Sequence, residues 1–391
     1  MNNSLMKTYN RQAVAFESGE GSWLIDDKGE RYLDALSGIA VCNIGHANAK
    51  VTEAICDQAS RLLHTSNLYE IPLQAQLALS LCELTGLDKV FFCNSGAEAN
   101  EAAIKICRKF AHHSGMKAPV IAVMNGSFHG RTMATLSATG NAKVQEGFAP
   151  LLQGFTHVPF DDITALRDLA KRDIEIIAVM LEPIQGEGGV VVPSPGYLQN
   201  VRALCTENNW LMVVDEIQTG MCRTGKWFAF QHEDVSPDIM TLAKSLGNGV
   251  PIGACLANNK ACDAMSPGSH GSTFGGNPLA ARTALAVLEF MTENNLPSRV
   301  SKIGDTMLAA FERELGNLSA VLDIRGKGLM IGIELERDCS ELVAIALERK
   351  ILINVTAGKV IRLLPPLIMS REEMEIVIST VCEIVKTFIG E

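Results

Sequence analysis

The sequence has no C-x-x-C pair, and its eleven cysteines are scattered from Cys42 to Cys382 with no framework spacing. An odd, dispersed set argues against a disulfide scaffold or a zinc site, and fits reduced thiols packed inside a cytosolic protein. Excess positive charge is also lacking. With 34 Lys and Arg against 44 Asp and Glu, the formal net charge is -10, which argues against nucleic acid or an anionic membrane as the main partner. No apolar run approaches the ~20 residues that span a bilayer, and MNNSLMKTYNRQAVAF has no apolar signal stretch, so a soluble, untargeted, cytoplasmic chain is expected. H-E-x-x-H, G-x-S-x-G and a strand-to-helix G-x-G-x-x-G are all absent, and no metal is expected.

What is present is an ordinary globular composition, 47% hydrophobic and 20% charged over 391 residues, long enough for about two or three domains. Between about residues 89 and 257 short apolar runs alternate with helix-period segments: KVFFC (89–93), PVIAVM (119–124), IEIIAVML (174–181), WLMVV (210–214), DIMTL (238–242) and GACLA (253–257). Runs apolar on both faces and separated by helices predict an α/β fold with a mostly parallel sheet between helix layers. The C-terminal part predicts a helix over 278–294, strands over 328–336, 351–355 and 360–366, a helix over 340–350, and a last helix opened by Ser370 and Glu373 as a capping box. GSWLIDDKGERYLDAL reads as a hairpin turning at Asp27-Lys28-Gly29. It has too few apolar residues for its own core. The expected organisation is a large domain over 46–275 and a smaller α/β domain built from both chain ends, 1–45 and 276–391.

Three constellations can carry chemistry. Asn94-Ser95-Gly96-Ala97-Glu98 follows the first run and opens a helix, with Ser95 and Glu98 spaced as a capping box. The helix dipole and the missing Cβ of Gly96 suit an anion such as phosphate, although a plain strand-to-helix turn reads the same way. Asp215-Glu216 ends WLMVV, at the strand end where open α/β sheets bind ligands; a solvated strand end is the alternative. Lys244 leaves DIMTL for a glycine-containing loop. Desolvation there would keep its amine neutral and able to condense with an aldehyde, unless it snorkels to solvent. GMCRTGK (220–226) matches G-x-x-x-x-G-K, but Trp227 stands where a Mg²⁺-binding hydroxyl belongs, which argues against a nucleotide site. A phosphate-sized helix end, a strand-end carboxylate and a strand-end lysine together supply what pyridoxal phosphate requires.

The sequence then resembles the class III aminotransferases of the pyridoxal-phosphate (PLP)-dependent transferase fold type I. The resemblance is carried in order by NSGAEANEAAIK (94–105), SFHGRT (127–132), EPIQGEGGV (182–190), DEIQTG (215–220), RTGKWFA (223–229), TLAKSLGNGVPIGA (241–254), STFGGNPLA (272–280) and IRLLPPL (361–367). It implies Lys244 as Schiff-base lysine and proton carrier, and Asp215 as partner of the pyridinium nitrogen. Glu216, Ile217 and Gln218 would lie beside the cofactor and Phe128 would stack on its ring. Ser95, Gly96 and Ala97 would hold its phosphate, with Thr273 reaching the phosphate of a neighbouring subunit, which makes the site a property of a homodimer. Arg362 would bind the carboxylate next to the reacting carbon and Arg131 the distal one, assisted by Ser272. Glu187 would cover Arg362 when a terminal amine reacts. Ile39 stands where relatives acting on ornithine carry a tyrosine that contacts the free α-amino group, and so favours N-acetylornithine, or 4-aminobutyrate, over ornithine.

The implied reaction is transamination of N-acetylornithine with 2-oxoglutarate, a step of arginine biosynthesis. Succinylornithine, succinyldiaminopimelate, 4-aminobutyrate and ornithine are alternative donors, and a non-catalytic ligand-binding regulator is an alternative of another class. The chain departs from the common family pattern at Ser245, Asn248, Cys222 and Ala47-Asn48. None of these removes a functional group.

Overall fold

Residues 4–390 are described by a computed structural model. In chain order its strands are β1 (Phe16–Glu20), β2 (Trp23–Asp26), β3 (Arg31–Asp34), β4 (Lys89–Cys93), β5 (Val120–Met124), β6 (Phe155–Val158), β7 (Ile176–Leu181), β8 (Leu211–Asp215), β9 (Ile239–Leu242), β10 (Gly253–Ala257), β11 (Val321–Lys327), β12 (Met330–Leu335), β13 (Ile351–Leu352), β14 (Asn354–Thr356) and β15 (Val360–Leu363). The seven-stranded central sheet has the order β4-β10-β9-β8-β7-β5-β6. Only β10 is reversed, antiparallel to β4 and to β9. Every residue of β7 and β8 is buried, because helices cover both faces of the sheet, and each such Leu, Ile or Val stabilises the fold by about 1.5–3 kcal/mol relative to an exposed one. All six apolar runs expected as strands are found. The seventh, β6, is FTHV, a half-exposed edge strand without the continuous apolar signature.

Two small sheets flank the central one. β1, β2 and β3 form an antiparallel meander whose turn lies at Asp27-Lys28-Gly29, as expected, and β13 from the C-terminal part pairs parallel with β3. β11-β12-β15-β14 form the second, antiparallel sheet. The expected strand over 351–355 is two strands: Ile351–Leu352 joins β3, Asn354–Thr356 joins β15, and the buried Ile353 lies between them. β11 was not legible in the sequence because VLDIRGK mixes polar and apolar residues on an edge.

The capping box expected at the last helix, Arg371–Ile389, is present. Glu373 N–H donates to Ser370 Oγ at 3.2 Å and Ser370 N–H to Glu373 Oε2 at 2.8 Å. Glu373 Oε1 also accepts from Trp23 Nε1 at 2.6 Å, tying this helix to β2. Helix Pro278–Glu293 packs on helices Ala49–Arg61 and Pro72–Thr85, whereas helix Leu296–Leu315 covers β11 and meets Arg371–Ile389.

Candidate active site

Because β4, β5, β7, β8 and β9 all point the same way, their C-terminal ends open at one edge of the sheet, where the loops can converge on a ligand. They surround a cavity of about 410 Å³ that is lined, among others, by Ser95, Gly96, Ala97, Phe128, Arg131, Glu187, Asp215, Ile217, Gln218 and Lys244. These ten positions, drawn from five separate loops, were all expected from the sequence.

At β4, Ser95 caps helix Gly96–His113 by accepting from Glu98 N–H at 3.2 Å. The reciprocal half of the expected box is displaced by one residue, since Glu98 accepts from the backbone N–H of Asn94 at 2.9 Å. Gly96 and Ala97, the first helical residues, therefore present their amides to the cavity, and a Cβ on Gly96 would come within 2.7 Å of Ile217 Cδ1.

Asp215 ends β8 and is 3% exposed. Its Oδ2 accepts from Asn100 Nδ2 and pairs with His129 Nδ1, each at 2.8 Å, and its Oδ1 accepts from Ile217 N–H at 3.1 Å. Thr241 Oγ1 donates to Asn100 Oδ1 at 2.7 Å, which orients that amide. Burial alone would lower the His129 pKa, but the bond to Asp215 raises it above the usual histidine value. His129 and Asn100 escaped the sequence reading although both lie inside quoted motifs, since nothing in their spacing shows that two distant segments meet. Glu182 at the end of β7 is a further acidic wall residue. Its oxygens accept from Phe128 N–H at 3.0 Å and Gly186 N–H at 3.1 Å, and burial pushes its carboxyl up to about 7.

Lys244 follows β9 with a left-handed φ of 44°, so the chain turns sharply and directs the side chain into the cavity. Burial depresses its amine to about 8 from 10.5, against the opposing pull of Glu187. Arg362, on β15 and 1% exposed, donates to Glu187 Oε1 at 2.7 Å, Gln218 Oε1 at 3.2 Å and Asn354 Oδ1 at 2.8 Å. Burial opposes ionisation of Glu187, but the Arg362 guanidinium holds its carboxyl below the usual value. Arg131 is exposed on the cavity wall beside the Phe128 ring, with no carboxylate partner among the described residues.

The remaining expected residues lie off the cavity wall. Glu216 is buried behind it, accepting from Thr219 Oγ1 and Phe230 N–H. Ser272 Oγ accepts from Asn94 Nδ2 at 3.2 Å, at the rim, and Thr273 is exposed beyond it. Ile39 packs beside Ala40, Ile184, Val190, Met330 and Leu364, and the residue of that segment on the wall is Val41. The segment is unusual: Ser37, Gly38, Ile39 and Ala40 form a left-handed turn with φ of 47°, 65°, 67° and 58°, a conformation that costs L-residues ~1–2 kcal/mol each. The GMCRTGK stretch forms turns, with no helix at its end to cradle a phosphate.

A family model described as "Aminotransferase class-III" matches residues 6–385. An acetylornithine aminotransferase of Nitrosomonas europaea is 55% identical over 385 residues, 98% of each chain. Among solved structures, an ornithine aminotransferase of Toxoplasma gondii, whose description places PLP at its active site, superposes with a TM-score of 0.94 at 36% identity, covering 97% of this chain and 92% of that one. An acetylornithine aminotransferase of Elizabethkingia anophelis superposes with a TM-score of 0.86 at 35% identity, covering 97% and 95%.

Proposed function

This chain belongs to the class-III aminotransferases, pyridoxal-phosphate enzymes, and from that premise we propose that it moves the terminal amine of N-acetylornithine to 2-oxoglutarate, yielding N-acetylglutamate 5-semialdehyde and glutamate in arginine biosynthesis. The cavity suits the cofactor: the amides of Gly96 and Ala97 face it where no Cβ intrudes, and a buried carboxylate and an amine share its walls. When bound, pyridoxal phosphate supplies an aldehyde for an amine and a ring that takes up the electron pair left by a departing proton.

The rest falls to the protein. Asp215, its carboxylate oriented by His129, Asn100 and the Ile217 amide, would hold a proton at the ring nitrogen. Lys244, with an amine depressed to about 8, can take and return a proton at the substrate carbon near neutral pH. Ser95, Gly96 and Ala97 would bind the phosphate, Phe128 would cover the ring, and Ile217 and Gln218 would lie at its sides.

The observation that carries the choice of donor is the Glu187–Arg362 ion pair at 2.7 Å, together with Arg131 on the cavity wall without a carboxylate partner among the described residues. A donor reacting through its terminal amine has no carboxylate near the cofactor, so Arg362 needs another anion, and Glu187 supplies it. Arg131, with Ser272 at the rim, then takes the substrate's only carboxylate. For glutamate, Glu187 yields Arg362 to the carboxylate beside the reacting carbon while Arg131 binds the distal one. Ornithine is the poorer donor in this reading, because on this segment its free α-ammonium would meet the apolar Val41, backed by Ile39, rather than an acceptor.

The functional unit is a homodimer in which Thr273 serves the partner's cofactor. Its exposed loop is tied to a segment that displays Leu62, Leu63, Leu68 and Tyr69, through Asn67 Nδ2 bonds of 3.0 Å to Ser272 O and Gly275 O, and Phe274 is exposed beside them. All eleven cysteines are unpaired, which suits the reducing cytoplasm.

The experiment is an absorbance titration of the PLP-loaded protein with N-acetylornithine, succinylornithine, 4-aminobutyrate and ornithine, followed by 2-oxoglutarate. N-acetylornithine is expected to give the highest kcat/KM, and a flat spectrum with it would refute the reading. Lys244→Ala should lower kcat at least about a thousandfold, with partial recovery on adding a small primary amine.

A further inference from the structure

Arg223 is a fully buried arginine that hydrogen-bonds only to neutral oxygens, the Asp34 carboxylate acting on it through charge without a hydrogen bond. Its Nη1 donates to the carbonyls of Leu329 at 2.9 Å and Pro365 at 2.6 Å. Its Nη2 donates to Ser37 Oγ at 3.3 Å and to Asn43 Oδ1. The buried Nε has no partner among the described residues. A guanidinium is costly to bury without a carboxylate, so this arrangement calls for an explanation beyond filling space.

The four acceptors identify what it holds. Ser37 opens the left-handed turn and Asn43 follows it; Pro365 lies three residues beyond Arg362, and Leu329 precedes β12. Ser37 Oγ in turn donates to Leu364 O at 2.6 Å, and Asp34 Oδ1 accepts from the amides of Leu36 at 2.9 Å and Ser37 at 2.7 Å. Apart from Gly38, the turn holds three L-residues, Ser37, Ile39 and Ala40, at a left-handed φ that none of them favours alone. Polar bonds at both ends make it the stable choice, and the turn leads directly into Val41, the residue of this segment on the cavity wall, with Ile39 packed behind it.

We infer that Arg223 is a positioning residue: it locks the left-handed turn Ser37–Ala40 against the strand bearing Arg362, so that donor selectivity depends on a side chain that touches no substrate. The inference deepens the aminotransferase reading and rests on it only for the selectivity part.

The test uses the cofactor-loaded full chain with Arg223→Met, which keeps the length and removes the guanidinium, and Ser37→Ala as a milder second variant. Hydrogen exchange of the amides of Ile39, Ala40, Val41 and Cys42, which donate to Leu36 O and Ser37 O, should quicken about tenfold while β7 is unchanged. The kcat/KM ratio of N-acetylornithine to ornithine should fall about fivefold, mainly through KM for N-acetylornithine. Ala40→Gly in the Arg223→Met background should restore part of that ratio, because glycine takes a φ of 58° without strain. Unchanged protection at 39–42 in both variants overturns the inference, as does a lower melting temperature with an unchanged ratio. If the unsubstituted protein rejects N-acetylornithine, the functional reading fails, and the exchange data still decide whether Arg223 holds the turn.

Discussion

Among single residues, Arg362 is the one through which the proposed site would accept two kinds of amine. Its guanidinium is almost wholly buried and pairs with Glu187 at 2.7 Å; removing one partner of a buried ion pair is strongly destabilising. Glu187→Gln keeps the shape and removes the charge. Arg362 then stands ready for a carboxylate, and the half-reaction with glutamate should gain about tenfold relative to that with N-acetylornithine, read from the absorbance change in stopped flow. Asp215 illustrates the opposite arrangement, a carboxylate already engaged by His129 and Asn100 before any ligand arrives. Its position at the end of WLMVV was legible, because a charge terminating a buried strand is a break in pattern. Its partners were not, since they come from another helix and another loop.

At the scale of elements, the turn at 37–40 and the start of helix Gly96–His113 set the shape of the cavity. Asp34 holds the turn's amides with Oδ1 and pairs through Oδ2 with His46 Nε2 at 2.8 Å. Burial alone would lower the His46 pKa, but the bond to Asp34 outweighs it and raises the imidazole to about 9 from 6.5. Because the folded value lies above the unfolded one, this pair stabilises fully below pH 6.5 and is lost as pH rises through 9. His46→Gln should therefore cost more stability at pH 6 than at pH 10, measured by urea unfolding at both. At the helix start, Gly96→Ala places a methyl 2.7 Å from Ile217 Cδ1, forcing a wall residue to move. The expected cost is about 1 kcal/mol of stability and about a tenfold weaker PLP affinity in a cofactor titration. The capping boxes had clear sequence signals, whereas the left-handed turn had none. SGIA is unremarkable until Asp34 and Arg223 are seen to hold it.

For the whole molecule, Thr273 lies outside the cavity of its own chain, so the proposed dimer predicts complementation. Lys244→Ala and Thr273→Ala homodimers should each be impaired. Mixing them under exchange should produce one site with both residues intact, raising activity above the mean of the parents; no gain would exclude sharing. Sedimentation should show twice the monomer mass, falling toward one when Leu68 and Tyr69, both exposed here, are changed to charged residues. The sequence alone determined the sheet, because runs apolar on both faces have few other stable homes. It also singled out Lys244, Asp215 and the helix start at Gly96 as candidates, because each interrupts a local pattern. What only the tertiary structure decided is which distant groups meet where no family pattern names the pair: His129 and Asn100 on Asp215, Arg223 on Ser37 and Asn43. Those contacts join residues tens to hundreds of positions apart, and chain crossing at the strand ends brings them together where local sequence leaves no trace.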